Sequence, residues 1–178
     1  MARMQIFGLA GWSGSGKTTL MTALIPELVF RGISVSTLKH AHHAFDIDQP
    51  GKDSFEHRKA GASEVIISSA RRFALMHEIA SDEGEASLGE LLARLSPCDI
   101  VLVEGFKALP FPKLEVFRAA NGREPLHPAD EWIVAVVSDR PFPQARVPVV
   151  PLDDIPVIGD MVIAKALPFD AFLEKLRT

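Results

Sequence analysis

The apolar run Met4-Gln5-Ile6-Phe7-Gly8-Leu9-Ala10 passes without a spacer into Gly11-Trp12-Ser13-Gly14-Ser15-Gly16-Lys17-Thr18, and a helical pattern opens at Lys17. Few arrangements restrict a fold as much. Gly11, Gly14 and Gly16 allow backbone conformations closed to other residues, so successive N–H groups can point at one anion. The helix behind them adds unsatisfied N–H groups and the positive end of its dipole. In a Gly-x4-Gly-Lys-Thr pattern the lysine brings a full charge to the outer phosphates, and the Thr18 hydroxyl can ligate Mg²⁺. The sequence therefore predicts a nucleoside triphosphate held by Gly11, Ser13, Gly14, Ser15, Gly16, Lys17, Thr18 and Thr19. A flexible Gly/Ser turn with a solvated lysine is the bland alternative, and the strand-then-helix context argues against it.

The rest of the chain is read around that loop. Lys17–Phe30 carries Leu20, Leu24 and Leu28 on one face, with Gly32 just past its end and Pro26 inside, where a kink is expected. Ile33–Lys39 is rich in β-branched residues and reads as a second strand, which makes a right-handed βαβ unit with parallel strands. A polar loop, Ala41–Asp53, precedes a short helix near Ser54–Ala60 and two strands, Glu64–Ser68 and Phe73–Glu78, that can form a hairpin. Ser87–Leu95 reads as a helix, with Ser87 and Glu90 in capping-box spacing. Ile100–Val103 reads as a strand buried on both faces. Leu114–Phe117, Trp132–Val137 and Val147–Val150 supply further strands, and Phe169–Leu176 a closing helix.

The expected fold is α/β: a mostly parallel sheet with helices on both faces, plus a β-rich extension that mediates dimerisation. Residues 1–178 read as one nucleotide-binding domain, with an insertion at about 107–130 where Pro and Gly cluster. Leu114–Phe117 is expected as an exposed edge strand able to pair across a dimer.

Composition narrows the function classes. At 178 residues and a formal charge of −4, a nucleic-acid binder with a broad basic surface is not expected. Cys98 is the one cysteine, so no internal disulfide or multi-cysteine metal site can form within one chain. No apolar stretch approaches the roughly 20 residues of a membrane helix, and the N-terminus does not resemble a signal peptide. A cytoplasmic protein with no membrane partner is the expectation.

Acidic residues near the loop are candidates for the metal. Asp99-Ile-Val-Leu-Val-Glu104-Gly105 is an apolar strand ending in an acid, and ligand groups gather at the carboxyl ends of strands in open α/β sheets. Glu104 is therefore expected to face the nucleotide and its Mg²⁺, against the alternative of a solvated strand end. Asp46, Asp48 and Asp53 form a second acidic source, and Asp53 is preferred because it introduces the next helix. Four of the six histidines lie between Lys39 and Arg58: His40, His42, His43 and His57. They suit a transition-metal site only with the right geometry, and otherwise line an anion pocket or the surface together with Lys39, Lys52, Arg58 and Lys59.

Gly11–Leu20, the stretch Leu38–Ser54, His57-Arg58-Lys59-Ala60-Gly61-Ala62 and Val103-Glu104-Gly105-Phe106-Lys107 resemble the molybdopterin-guanine dinucleotide biosynthesis protein B family (MobB). The resemblance spans most of the chain and thins after about Lys107. It implies a homodimeric GTP-binding protein with weak GTPase activity. It also implies an adaptor beside the molybdopterin guanylyltransferase and other molybdenum cofactor assembly proteins. By the same resemblance Lys17, Thr18, Asp53 and Glu104 are nucleotide–Mg²⁺ residues, and the basic residues around His40 and Arg58 line the site or a partner surface. The Asn-Lys-x-Asp motif that reads guanine in many GTPases does not occur. Val137-Ser138-Asp139 follows a strand at a comparable place, so Asp139 either accepts hydrogen bonds from guanine or is an ordinary turn residue.

Three functions fit the loop. An accessory GTPase comes first, since no glutamine or arginine is evidently placed to drive water attack. A metallochaperone-like GTPase with metal at the histidine cluster comes second. A small-molecule kinase comes third, with Arg71 and Arg72 as thin support for a lid.

Overall fold

The computed structural model describes residues 4–41, 46–80, 84–142 and 145–177. The chain forms two compact units, Met1–His40 with Arg94–Thr178, and Ala41–Ala93.

In the first unit the predicted βαβ start is present: β1 (Gln5–Ala10), α1 (Lys17–Phe30) and β2 (Val35–Lys39). Then come β5 (Ile100–Glu104), β6 (Lys113–Phe117), β7 (Ile133–Ser138), β8 (Val149–Pro151), α4 (Ile155–Lys165), β9 (Leu167–Pro168) and α5 (Phe169–Lys175). The strands lie in the order β2-β5-β1-β6-β7-β8, all parallel, while β9 pairs antiparallel with the start of β1. The carboxyl ends of all six parallel strands thus share one edge of the sheet.

Alternation along the strands separates two cores. Phe7 and Leu9, Ile100 and Leu102, Leu114 and Val116 join Leu20, Leu24 and Leu28 of α1 and Ile158 and Val162 of α4. On the opposite face Ile6, Val101, Val103 and Val136 are buried, and Phe111 packs edge-on against Phe172 of α5 at 5.7 Å. Helices therefore cover both faces, as expected. Gly8 lies on that second face: a Cβ there would meet Phe111 at 2.6 Å and the Lys113 side chain at 2.7 Å.

α1 runs unbroken through Pro26, which sits on the exposed face, where water can satisfy the carbonyl that loses its partner. Asp99 immediately precedes β5 at the far end of the sheet from the loop, where Ser34 donates to it through N–H and Oγ. α4, which the sequence reading did not place, starts at Asp154, whose carboxylate accepts from Val157 N–H, and tolerates Pro156 in its first turn.

β6 corrects one expectation. It is an interior strand, paired on both sides by β1 and β7, and all five of its residues are buried. It is therefore no free edge for a dimer. Its two charged residues are paired internally: Lys113 Nζ donates to Asp130 at 3.2 Å. Glu115 accepts from Leu126 N–H at 2.6 Å and from His127 N–H at 2.9 Å. Burial pushes the Lys113 ammonium below its usual value, with Asp130 opposing.

The second unit holds α2 (Asp53–Lys59), the hairpin β3 (Glu64–Ser68) and β4 (Phe73–His77), and α3 (Leu88–Ala93). The hairpin is the additional β-structure of the fold, a separate two-stranded antiparallel sheet. Glu64, Ile66 and Ser68 lie opposite His77, Leu75 and Phe73, so Ile66, Phe73 and Leu75 share one face, and all three are exposed. The capping box forms as read: Ser87 N–H donates to Glu90 at 2.8 Å, and Glu90 N–H donates to Ser87 Oγ at 3.3 Å.

The tight fit at Gly8 makes a prediction. Gly8→Ala should destabilise the protein by about 1–3 kcal/mol through overpacking. A denaturant-unfolding midpoint equal to that of the wild type would show that the α5 face is looser than described.

Candidate functional site

The loop after β1 has the backbone that its glycines predict: φ is +139° at Gly11, +77° at Gly14 and +96° at Gly16. A Cβ on Gly11 would lie 2.5 Å from the Val116 carbonyl oxygen, so only glycine fits where the loop leaves the sheet. Gly16 caps α1 in the left-handed region with no side-chain cap, and the first turn contains no acid. The leading N–H groups of a 14-residue helix are thus left for an external acceptor.

Lys17 folds back over the loop, its ammonium donating to the carbonyls of Gly11 and Trp12 at 3.0 Å each. Burial lowers its pKa, Glu104 opposes that, and Lys107 and Lys39 add to it. Ser15 is buried, and its Oγ is an orphaned polar atom with no partner. Ser13, Gly14, Thr18 and Thr19 are exposed at the loop's mouth.

Strand ends flank this loop. On the β5 side Glu104, whose side chain is 15% exposed, lies 3.7 Å from Lys39 Nζ. Its carbonyl accepts from His40 N–H at 2.8 Å. Gly105 (φ +104°) packs so closely that a Cβ would sit 2.5 Å from His40 Cβ. Phe106, with φ +49°, stacks on the His40 ring at 4.6 Å. A positive φ on a bulky residue is strained backbone, and here it follows directly on the candidate metal acid. On the other side, after β6, Arg118 Nε donates to Ser15 O at 3.1 Å, Asn121 Nδ2 to Ser13 O at 3.4 Å, and Trp12 Nε1 to Glu124 O at 2.8 Å. Lys107 and Arg123 lie over the Trp12 ring, 5.2 and 5.4 Å from its centre.

Sequence reading missed this second flank. The signal was available in the basic residue that immediately follows an apolar strand, but it fell inside the stretch read as an insertion. One strand further, Asp139 accepts from Ala119 N–H at 3.3 Å. It helps to line a cavity of about 440 Å³ together with Ser138, Arg140, Pro141, Phe142, Val149 and Pro151.

The first unit therefore brings Gly11–Thr19, Glu104 and Asp139 to one sheet edge. Asp53 and Arg58 lie on α2 of the second unit. There Arg58 donates to Asp48 through Nε and Nη2, to Asp46 through Nη2 at 3.0 Å and to Glu78 through Nη1 at 2.7 Å. The guanidinium holds the buried Asp48 carboxyl below the usual range, and Arg58 is in turn raised by its carboxylates. Of the histidine cluster, His42 and His43 lie outside the described residues. Among the described residues no group of three His, Cys, Asp or Glu is arranged for a metal, and no helix is long and apolar enough to cross a membrane.

Strand order, loop and helix together define a P-loop GTPase-like α/β fold. Within that class, residues 6–139 match the molybdopterin guanine dinucleotide synthesis protein B family, and the chain belongs to it. The molybdopterin-guanine dinucleotide biosynthesis adapter protein of Escherichia coli is 43% identical over 161 residues, covering 89% of this chain and 91% of that protein. Its counterpart in Haemophilus influenzae is 39% identical, covering 90% and 88%. The crystal structure of Bacillus subtilis MobB superposes with a TM-score of 0.70 at 24% identity, covering 91% of this chain and 98% of that one, a likeness of fold.

The Arg58 clasp carries a pH dependence with a definite sign. A carboxyl whose pKa is depressed on folding stabilises the fold above its unfolded value, near 4, and that contribution disappears as pH falls through the lower folded value. The gap in melting temperature between wild type and Arg58→Ala should therefore be full at neutral pH and shrink below about pH 4. A gap that stays constant down to pH 2 would mean that Arg58 stabilises by packing and not by pairing with ionised carboxylates.

Proposed function

We propose that this chain is an adaptor in molybdopterin guanine dinucleotide biosynthesis that binds GTP–Mg²⁺ on the loop Gly11–Thr19 and hydrolyses it slowly beside a guanylyltransferase. The observation that carries the reading is the geometry of the loop and of the helix start behind it. Gly11, Gly14 and Gly16 all have positive φ, α1 has no cap or acid at its start, and Ser15 Oγ is buried without a partner. The uncapped helix start and the buried, unpartnered hydroxyl each cost stability without a partner, and the glycines let the loop N–H groups turn toward one anion. The likeness to the adapter proteins of Escherichia coli and Haemophilus influenzae supports the pathway and the partners.

Lys17 is the group that meets the outer phosphates, leaving the Gly11 and Trp12 carbonyls to do so. The oxygen donors suit a hard cation: Thr18 Oγ1 and the Glu104 carboxylate would hold Mg²⁺, with Asp53 assigned to it from its place in the sequence and from the family resemblance. When bound, Mg²⁺ supplies charge neutralisation to the phosphate oxygens. Arg58, with most of its donors engaged by Asp46, Asp48 and Glu78, enters the nucleotide set by resemblance only. Asp139, on the wall of the cavity beyond Arg118, is the group that reads the purine: a carboxylate there accepts from the N1–H and N2 amine of guanine together, whereas adenine offers only its N6 amine.

The molecule is proposed to act as a homodimer. The exposed hairpin face of Ile66, Phe73 and Leu75 supports that reading better than the interior strand β6 does.

Three outcomes follow. Calorimetric titration should show GTP preferred over ATP analogues in the presence of Mg²⁺, with about a 100-fold loss in Lys17→Ala and a loss of base preference in Asp139→Ala. ATP binding as tight as GTP would favour a kinase-like use of the loop, and turnover faster than about 1 s⁻¹ would contradict an accessory role. Burial lowers the Lys17 pKa and a bound phosphate raises it again, so GTP binding at alkaline pH should take up more protons in the wild type than in Lys17→Ala. Equal proton uptake in the two would remove Lys17 from the phosphates. Phe73→Lys should sediment as a monomer where the wild type is a dimer, and a wild type that is monomeric at tens of micromolar would end the dimer proposal.

A further inference from the structure

Arg118 directly follows β6, and its side chain turns back across the phosphate loop. Its Nε donates to Ser15 O at 3.1 Å. A side chain at Gly16 would begin 3.1 Å from Nε and 3.3 Å from Nη2, so the guanidinium rests on the crest of the loop at the N-terminus of α1. Among the described residues no carboxylate pairs with Arg118. Arg31 and Arg58 make a contrast: Arg31 is held by Glu27 and Asp160, and Arg58 by Asp46, Asp48 and Glu78. A half-buried cation without a counter-ion, beside the positive end of a helix, is electrostatically unfavourable, and an anion placed there relieves it. The unpartnered Ser15 Oγ in the same loop is an independent sign that the polar inventory is incomplete.

Sheet order decides which part of the ligand Arg118 meets. β1 lies between β5, which ends in Glu104, and β6, which leads into Arg118. The cavity at Asp139 lies beyond, at the ends of β7 and β8. Strands are spaced about 4.8 Å apart, so a path along this edge from the metal-side acid to the cavity crosses the loop first and Arg118 second. The next residue, Ala119, already donates to Asp139 at 3.3 Å. Arg118 therefore stands on the base-proximal side of the phosphates. Resting on the reading that the loop holds a nucleotide, we propose that Arg118 binds the inner, α- and β-phosphates in cis. Diphosphate is then held by this arm as firmly as triphosphate, and product retention is built into the site.

The test is titration of GTP, GDP and guanosine, the last by competition, into wild type, Lys17→Ala, Arg118→Ala and Arg118→Lys. Arg118→Ala should weaken GTP and GDP by the same factor, about 10- to 100-fold, and leave guanosine unchanged. Arg118→Lys keeps the charge without the planar fork and should show a smaller loss of the same pattern, with unliganded melting equal to wild type. It carries the test if the alanine variant does not fold. Loss confined to GTP would move Arg118 to the outer phosphate, and an equal loss for guanosine would make its role one of base stacking or folding. Unchanged affinities would remove it from the site. Each of these overturns the inference while leaving the nucleotide reading intact. A wild type that binds no nucleotide overturns both.

Discussion

The structure depends on the burial of β1 between two parallel neighbours. Five of its six residues are buried, and its register is fixed by β5 on one side and β6 on the other. The strand cannot slide without turning Phe7 and Leu9 out of the core they share with α1. Its last residue therefore has a fixed position, and Gly11 leaves the sheet against the Val116 carbonyl, where no side chain fits. The phosphate loop is a consequence of that packing. Its exit from the sheet is set by that packing, and a loop so held is the kind of preorganised backbone that anion binding favours.

Because all six parallel strands end on one edge, each neighbour of β1 contributes a group beside the loop. β5 delivers Glu104, followed by the strained Phe106 stacked on His40. β6 leads into Arg118 and the segment that hydrogen-bonds the loop at Ser15, Ser13 and Trp12. That segment is itself anchored by the buried Glu115, which takes the N–H groups of Leu126 and His127. A charged side chain inside the sheet is costly unless fully paired, and here the pairing fixes the loop beside the site.

Much of this was legible in the sequence, for physical reasons that also explain the gaps. β1, β5 and β7 are buried on both faces and read as continuous apolar runs, and the glycine spacing after β1 has few alternatives. The capping box at Ser87 and Glu90 and the hairpin at Glu64–His77 were visible because local chemistry specifies them. β6 misled because Lys113 and Glu115 alternate with Leu114 and Val116, the pattern of a strand with one wet face. Their partners, Asp130 and the backbone of Leu126–His127, are tertiary and leave no local trace. α4 went unplaced, and it contains Pro156 and Gly159, residue types that disfavour a helix interior. In the fold the proline occupies the first turn, where its missing N–H costs nothing, and the glycine admits Arg31, which a Cβ would approach to 3.3 Å. Arg118 was overlooked for the same reason as β6: a residue is recognised as strand-end only once the strand is known to be interior.

Hydrogen–deuterium exchange with and without GTP–Mg²⁺ tests most directly whether this preformed loop is a nucleotide site. The account predicts slowed exchange concentrated at Gly14–Thr18, whose N–H groups are the proposed anion donors, and at Arg118–Gly122, which braces them. Unchanged exchange at Gly14–Thr18 under conditions that saturate nucleotide binding would contradict it.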